Sequence, residues 1–396
     1  MSRVIGASLS HSLNQLLSEA RLSGIDQAQC CVIQSGEVVY SSDDCDMCFD
    51  IASLSKVIST VTLAAHGLSL GLFDLDSPIS SLLADSPGEW EEITIKHLLG
   101  HSSGLVAWLP FFASALETGG EPDVFSSPDC SAHLERSMSK VWEAIRSSQL
   151  ISLPGSERRY SDTGFIVLGR AIEQAFKPLH LDCDLSSLFE RYVASDIGLT
   201  NTVFRPIPSA RDGYIAPTGL VRPRPPAVGQ EGMFPHANRS PTPESPGTVD
   251  DDNAYALGGV AGHAGLFSTA YDVAKYGDWL HNMLNLAEVP PVGLTLQRLC
   301  SEDLGPSGPK RTLGFDLPTP PNSSVGDKFG AGPKGAIGHL GFTGCSLWID
   351  LDREVSVALL TNRVFPSRGN AAEIFNLRRE VHSTVADVFP ARGRKT

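Results

Sequence analysis

Alternating β-prone residues occur near both ends of the chain, and this pattern restricts the fold more than any single motif does. Residues 28–34 and 37–41 flank Ser35-Gly36 and predict a β-hairpin. Residues 338–350 and 355–361 flank a turn and predict a second pair of strands. Because the two groups are far apart in sequence, we expect one antiparallel sheet built from both chain ends.

Helical patterns account for most of the remaining chain. Apolar residues recur at helical spacing over residues 7–23 and 371–388, next to the two strand groups. We therefore predict an α+β fold in which N- and C-terminal helices flank the antiparallel sheet and a mostly helical domain is inserted. The sheet domain is expected at 1–80 and 305–396, and the helical domain at 81–304.

A proline-rich stretch, residues 205–250, has almost no periodicity. So long an irregular segment in a compact protein is either disordered or a loop that covers a site, and we expect a partly ordered flap. The three aspartates at 250–252 follow it. They could suggest a cation site, but we expect a solvated acidic turn.

Ser53 and Lys56 have the spacing that brings two side chains to one face of a helix. Apolar residues after Leu54 recur at three and four and predict a buried helix. A serine hydroxyl becomes a good nucleophile when a base takes its proton, and a buried lysine with a lowered pKa could act as that base. The alternative is an N-capping Ser53 with a solvated Lys56.

Composition limits the partners and the cofactors. The chain has 31 basic and 45 acidic residues, a net charge of −14, which argues against nucleic acid and anionic membranes. Without an apolar stretch of signal-peptide or membrane-spanning length, we expect a cytoplasmic protein. Cys45 and Cys48 form a lone Cys-x-x-Cys pair, so we predict no metal site and no cofactor.

A second serine must also be considered as the nucleophile. Residues 100–104 match the Gly-x-Ser-x-Gly elbow of α/β-hydrolases, with Ser102 at its centre. That motif requires a buried strand before the serine and a helix directly after it. Residues 96–99 instead predict a short helix after a Thr94 cap, which is the wrong context for an elbow.

Two further motifs follow Ser53 and Lys56 in order: Tyr160-Ser161-Asp162 and His339-Leu340-Gly341. Taken alone, Tyr160 could be a half-buried aromatic residue and Asp162 a helix cap. The ordered set resembles the serine β-lactamase and penicillin-binding-protein superfamily, whose Ser-x-x-Lys, Tyr-x-Asn and Lys-Thr-Gly motifs line one cleft. The similarity extends from about residue 45 to the C-terminus and is strongest to class C-type serine hydrolases.

This resemblance implies a β-lactamase/transpeptidase-like fold and a metal-independent serine hydrolase. Ser53 would be acylated, Lys56 would help to deprotonate it, and Tyr160 would relay the proton to the leaving group. The backbone N–H groups of Ser53 and Phe342 would form the oxyanion hole, with Asp162, His339 and Gly341 in supporting roles.

His339 and Asp162 depart from the lysine and asparagine that are common in β-lactamases and peptidases. A histidine is a poorer fixed cation for a substrate carboxylate at neutral pH. The chain is therefore expected to act on an ester or amide, either a peptidoglycan-derived muramyl peptide or a small ester. The alternatives are a β-lactamase or D-Ala-D-Ala carboxypeptidase of the same fold, and a non-catalytic ligand-binding or assembly protein. The sequence does not reveal the oligomeric state.

Overall fold

The computed structural model describes residues 2–42, 46–116, 130–206, 215–219, 246–301, 311–321, 323–366, 368 and 370–391. The α-helices are α1 (Ser2–Leu22), α2 (Thr62–Ser69), α3 (Ile95–Leu99), α4 (Phe112–Leu116), α5 (Cys130–Arg146), α6 (Asp162–Phe176), α7 (Leu185–Phe189), α8 (Ser195–Ile197), α9 (Asp252–Ala256), α10 (Ala270–Asn285), α11 (Pro291–Ser301) and α12 (Ala371–Val388). The strands are β1 (Ala28–Gln34), β2 (Glu37–Ser41), β3 (Phe49–Asp50), β4 (Val203–Phe204), β5 (Leu266–Ser268), β6 (Ala336–Leu340), β7 (Ser346–Asp350) and β8 (Val355–Thr361). Two π-helical segments, Lys56–Val61 and Glu190–Ala194, lead into α2 and α8.

The main sheet has five antiparallel strands in the order β2-β1-β8-β7-β6. Strand β1 pairs with β8 from Ala28 opposite Thr361 to Gln34 opposite Val355, so the two chain ends meet at the centre of the sheet. The predicted α+β fold with one sheet from both ends is confirmed. Strand β6 lies at an edge, which leaves the loop after it free to face another part of the chain.

Both faces of the sheet are covered, so every residue of β7 and β8 is buried. On one face, α1 and α12 pack against the sheet through apolar side chains such as Leu13, Leu359 and Val381. On the other face, α10 packs against β1, β7 and β8. The helices predicted near the two ends are confirmed, although α1 begins earlier than expected, at Ser2.

The middle of the chain is largely helical and carries a small second sheet in the order β3-β5-β4. The domain boundaries at residues 80 and 304 remain predictions. Of the expected flap, residues 207–214 and 220–245 lie outside the described residues, as does Cys45. None of the helices in the described ranges is long and apolar enough to cross a bilayer.

Candidate active site

Ser53 follows a tight turn at the end of β3. Ala52 has a left-handed backbone with φ = 47°, a conformation that a non-glycine residue adopts only when its surroundings enforce it. The Asp50 carboxylate does so, because Oδ1 accepts a hydrogen bond from the Ala52 N–H at 2.8 Å. Its Oδ2 accepts from the Asp250 N–H at 2.6 Å. Asp50 therefore fixes the turn that presents Ser53.

The helix after Ser53 begins with a π-helical segment, Lys56–Val61, in which every residue is buried. The carbonyl of Val57 accepts hydrogen bonds from Thr62 Oγ1 at 3.0 Å and from the Tyr276 hydroxyl of α10 at 2.9 Å. Side-chain donors thus stabilise an irregular stretch, and such π segments are frequent at functional sites. The predicted buried helix is confirmed, but its π-helical start was not foreseen.

The Lys56 amine connects the predicted site residues. Its Nζ donates to Ser53 Oγ at 2.9 Å, to Asp162 Oδ1 at 2.7 Å and to the His263 carbonyl at 3.1 Å. An ammonium group has three donors, and all three are used here. The alternative of a solvated Lys56 is wrong, because Lys56 is fully buried.

The charge state of Lys56 differs from the expectation. Burial alone lowers the pKa of the amine, but the charge of Asp162 and the neighbouring Tyr160 together raise it above its ordinary value. Lys56 is therefore a cation in the resting site at neutral pH. The prediction that burial would make it a neutral base is wrong, because the Asp162 carboxylate lies 2.7 Å from the amine and, together with Tyr160, outweighs the effect of burial.

Asp162 faces Lys56 because it is the first residue of α6 and does not cap it. The cap is Ser161, whose Oγ accepts a hydrogen bond from the Gly164 N–H at 2.9 Å. The Asp162 side chain is therefore available to pair with Lys56.

The Tyr160 ring lies over the same amine, with Lys56 Nζ 4.9 Å from the ring centroid. The ring also lies 4.7 Å from the His101 ring and 5.8 Å from the His339 ring. Burial raises the pKa of the phenol, while the nearby charge of Lys56 opposes this rise. Tyr160 is thus a phenol in the resting site and can exchange a proton with Lys56 and Ser53.

His339 lies on β6 and is neutral. Burial lowers its pKa to about 4, although Asp316 partly opposes the change. Nδ1 is 2.9 Å from the Leu340 carbonyl, which can only accept, so Nδ1 carries the proton. Nε2 then accepts from Arg311 Nη2 at 3.3 Å. His339 therefore supplies no positive charge to the cleft at neutral pH.

The two N–H groups expected to form an oxyanion hole belong to loops that pack directly on each other. Thr343 Oγ1 donates to the Asp50 carbonyl at 2.7 Å. A Cβ at Gly341 would lie 2.6 Å from the Ile51 carbonyl oxygen, so only glycine permits this approach. Within the described residues, neither the Ser53 N–H nor the Phe342 N–H donates to a protein acceptor. Both remain available for a substrate oxygen.

A cleft of about 360 Å³ opens over these groups. Its lining includes Ser53, Tyr160, His339, Gly341 and Phe342 of the predicted set, and 45% of the Phe342 surface is exposed. Lys56 and Asp162 are not part of this lining, but Lys56 bonds both Ser53 Oγ and Asp162. The structure therefore brings all the predicted site residues together.

The rival nucleophile lacks the surroundings that it needs. Ser102 is buried and follows α3, whose Thr94 side chain accepts from the His97 N–H at 3.3 Å. A helix, and not a strand, therefore precedes the serine, as expected from the sequence. The neighbouring His101 bonds the Ser161 N–H through Nδ1 at 3.0 Å. Residues 100–104 are not a nucleophile elbow.

The acidic run at 250–252 is not the solvated turn that we expected. Asp250 and Asp252 each lie 3.3 Å from Arg368 Nη2, and Asp251 lies 2.8 Å from His263 Nε2. Asp251 also caps α9 by accepting from the Ala254 N–H at 2.7 Å. Their partners, Arg368 and His263, lie outside the acidic run in sequence. The run of three aspartates therefore wrongly predicted a solvated turn. The described residues contain no cluster of three or more His, Cys, Asp or Glu side chains that could hold a metal ion.

Three arginines of the cleft were missed: Arg311, Arg363 and Arg378. Arg311 forms a salt bridge with Asp316 and has its guanidinium carbon 5.1 Å from the Tyr160 ring centroid. Arg378 breaks the apolar face of α12, because it is buried among Ile374, Leu377 and Val381. A charged residue at a position that the helical period assigns to the core was the available signal.

Comparisons with known proteins agree with this geometry. The Beta-lactamase family model matches residues 15–380. An N-acetylmuramyl-L-alanine amidase of Bacillus subtilis 168 is 28% identical over 328 residues, covering 80% of this chain and 68% of that protein. An Escherichia coli K12 protein, provisionally named a D-alanyl-D-alanine carboxypeptidase, is 28% identical over 331 residues, covering 80% and 69%. The structure of a class C beta-lactamase superposes with a TM-score of 0.66 at 14% identity, covering 96% of this chain and 98% of that one.

Proposed function

Because this chain belongs to the Beta-lactamase family of serine hydrolases, we propose that it hydrolyses a small ester or amide through an acyl-enzyme on Ser53. One observation carries the proposal. The Ser53 hydroxyl accepts a hydrogen bond from a buried Lys56 at 2.9 Å, beside Tyr160 and at the edge of an open cleft. A nucleophile held against proton-exchanging groups is what acyl transfer requires.

Protons can move among the side chains of Ser53, Lys56 and Tyr160. Since Lys56 is a cation and Tyr160 a phenol at rest, the reactive form is the one in which this pair has lost one proton. Ser53 Oγ then attacks the carbonyl carbon as its proton passes to the pair. The N–H groups of Ser53 and Phe342 stabilise the developing oxyanion. Tyr160 lies on the cleft side and returns the proton to the leaving group, and water later releases the acyl group.

The wall of the cleft near His339 favours substrates that need no strong cation there. His339 is neutral, and the charge of Arg311 is offset by its salt bridge with Asp316. This supports an ester or a muramyl amide over a β-lactam, whose carboxylate family members bind with the lysine of Lys-Thr-Gly. The name of the Bacillus subtilis relative, an N-acetylmuramyl-L-alanine amidase, supports a muramyl peptide as the substrate.

A substrate panel tests the proposal. The purified protein and Ser53→Ala are assayed with p-nitrophenyl esters, muramyl peptides, D-Ala-D-Ala peptides and nitrocefin. We expect turnover of an ester or a muramyl amide that Ser53→Ala abolishes. Turnover restricted to nitrocefin or D-Ala-D-Ala peptides would favour the β-lactamase or carboxypeptidase alternative. Binding of a muramyl peptide without turnover of any substrate would favour a non-catalytic binding protein.

A further inference from the structure

The loop that carries the Phe342 N–H is held from the side of α12 by Arg378. Arg378 Nη2 donates to the Gly341 carbonyl at 2.9 Å and to the Cys345 carbonyl at 2.7 Å. The loop is closed on itself as well, since the Gly341 N–H donates to the Cys345 carbonyl at 2.7 Å. A single guanidinium nitrogen thus bridges the two ends of residues 341–345.

The Gly341 carbonyl and the Phe342 N–H belong to the same peptide unit. That unit is planar and trans, so its oxygen and its hydrogen point in opposite directions. When Arg378 fixes the carbonyl oxygen on one side, it also fixes the direction of the N–H on the other. A rotation of this peptide, which would turn the N–H away and present the carbonyl to the cleft, would break the bond to Arg378.

Burial of Arg378 destabilises the fold. Its surface is only 8% exposed, and burial lowers the pKa of the guanidinium to about 10. Among the described residues, its Nε has no hydrogen-bond partner and no carboxylate forms a salt bridge with it. A charge buried without an opposite charge destabilises a fold. The guanidinium nevertheless binds the carbonyl of the peptide whose N–H is expected to form the oxyanion hole together with that of Ser53.

We propose that Arg378 is a positioning residue for the oxyanion hole. By binding the Gly341 carbonyl, its guanidinium holds the Phe342 N–H in the donor orientation and polarises that peptide as negative charge develops on the substrate oxygen. The effect is therefore larger in the transition state than in the substrate complex. This inference rests on the proposed acylation of Ser53.

The test compares Arg378→Met, Arg378→Lys and Arg378→Ala with a matched control on the same helix. Arg379→Met removes the adjacent arginine, whose side chain is 30% exposed and pairs with Asp327 across 3.9 Å. Loss of a whole oxyanion-hole donor lowers kcat about 10²- to 10³-fold. We expect Arg378→Met to lower kcat about 10- to 100-fold with KM changed less than about threefold, because the donor is misdirected and not removed.

Two further results separate positioning from a purely structural role. Arg378→Lys keeps the charge and should retain more activity than Arg378→Met. Guanidinium added to Arg378→Ala at non-denaturing concentration should restore part of kcat, and it should not affect Arg379→Met. Thermal melting of each variant identifies those that are folded. If Arg378→Met and Arg378→Ala do not fold, the kcat of Arg378→Lys decides the proposal.

Each outcome decides the proposal. Equal kcat for Arg378→Met and Arg379→Met would overturn it. The proposal would also be overturned if Arg378→Met had a lower kcat, a higher KM and a lower melting temperature together, and guanidinium did not rescue Arg378→Ala. Arg378 would then have a structural role only. If Arg378→Lys alone folds, wild-type kcat in that variant supports the role of the charge, and a loss as large as about 100-fold contradicts it. Ser53→Ala, assayed in parallel, separates the two claims: if it stays active, the acyl-enzyme and the inference fail together.

Discussion

Asp162 is the residue with the greatest influence on the charge of the site. A relative with asparagine at this position would offer Lys56 a neutral partner, whereas Asp162 places a carboxylate 2.7 Å from the amine. The pair is buried on the lysine side, so solvent screens it little. The site is therefore held in a protonated resting form, and its reactive form is reached as the pH rises.

We predict that Asp162→Asn moves the rising limb of the pH profile of kcat/KM to lower pH. Removing the anion destabilises the protonated Lys56, so its pKa falls and the reactive form appears at less alkaline pH. The amide oxygen of asparagine can still accept the hydrogen bond from Lys56. Profiles of both proteins measured between pH 5 and about 10.5 check this, and a limb that stays in place or moves to higher pH contradicts it.

The sequence predicted which side chains come together at the site, but not their electrostatics. The spacing of Ser53 and Lys56 predicted that the two side chains meet, because a helix fixes which side chains share a face. Tyr160 and His339, in order after them, identified the set. The charge of Lys56 depends on Asp162, 106 residues later, and on the depth of burial, which no local pattern specifies. The contact of Arg378 with Gly341, 37 residues away, was invisible for the same reason.

Among the elements, the π-helical segment before α2 determines how Lys56 is presented. The Tyr276 hydroxyl, from the buried face of α10, donates to the Val57 carbonyl within that segment. Tyr276 is fully buried, so the hydroxyl has no water to replace this bond. Helix α10 thus anchors the segment that carries Lys56.

We predict that Tyr276→Phe lowers the free energy of unfolding by about 0.5–1.5 kcal/mol, because the Val57 carbonyl loses one of its two side-chain donors and keeps the bond from Thr62 Oγ1. Chemical denaturation of the wild type and the variant measures the change. Tyr271→Phe, at a position on the same helix that is 40% exposed, is the control and should have little effect. Equal destabilisation by both substitutions would show that the buried hydroxyl does not anchor the segment.

The N-terminal strands and the helices near the two chain ends were predictable because their patterns are local. Residues 338–350, expected as one strand of a pair, instead lie in two strands, β6 and β7, with a turn between them. Strands β1 and β2 begin and end at the predicted residues, as does the closing helix α12. The π-helical segment was not predictable, because its sequence pattern is that of an ordinary buried helix. Its geometry depends on Thr62 and on Tyr276, a residue from a distant helix.

Over the whole molecule, buried neutral histidines make the fold sensitive to acid. Burial lowers the pKa of His339 and of His382 to about 4, and that of His101 well below its ordinary value. His382 packs against Phe329, and its Nδ1 donates to the Arg378 carbonyl at 2.6 Å. Because the unfolded chain binds these protons near pH 6.5, stability is full above that pH and is lost as the pH falls toward 4.

We predict that His382→Gln reduces the slope of unfolding free energy against pH between pH 6.5 and 4. The glutamine amide can still donate to the Arg378 carbonyl but takes up no proton on unfolding. One fewer proton corresponds to at most about 1.4 kcal/mol per pH unit. Denaturant titrations across this range measure the slope, and a slope equal to that of the wild type would mean that His382 does not contribute to acid lability.

Ser53 is the residue that we expect to become acylated, and intact-mass analysis after treatment with a fluorophosphonate shows whether it does. The wild type, Ser53→Ala and Ser102→Ala are labelled under the same conditions, and the modified peptide is sequenced. We predict a single adduct on the wild type and on Ser102→Ala, located at Ser53, and no adduct on Ser53→Ala. An unlabelled wild type, or an adduct that persists in Ser53→Ala and disappears in Ser102→Ala, would contradict this expectation.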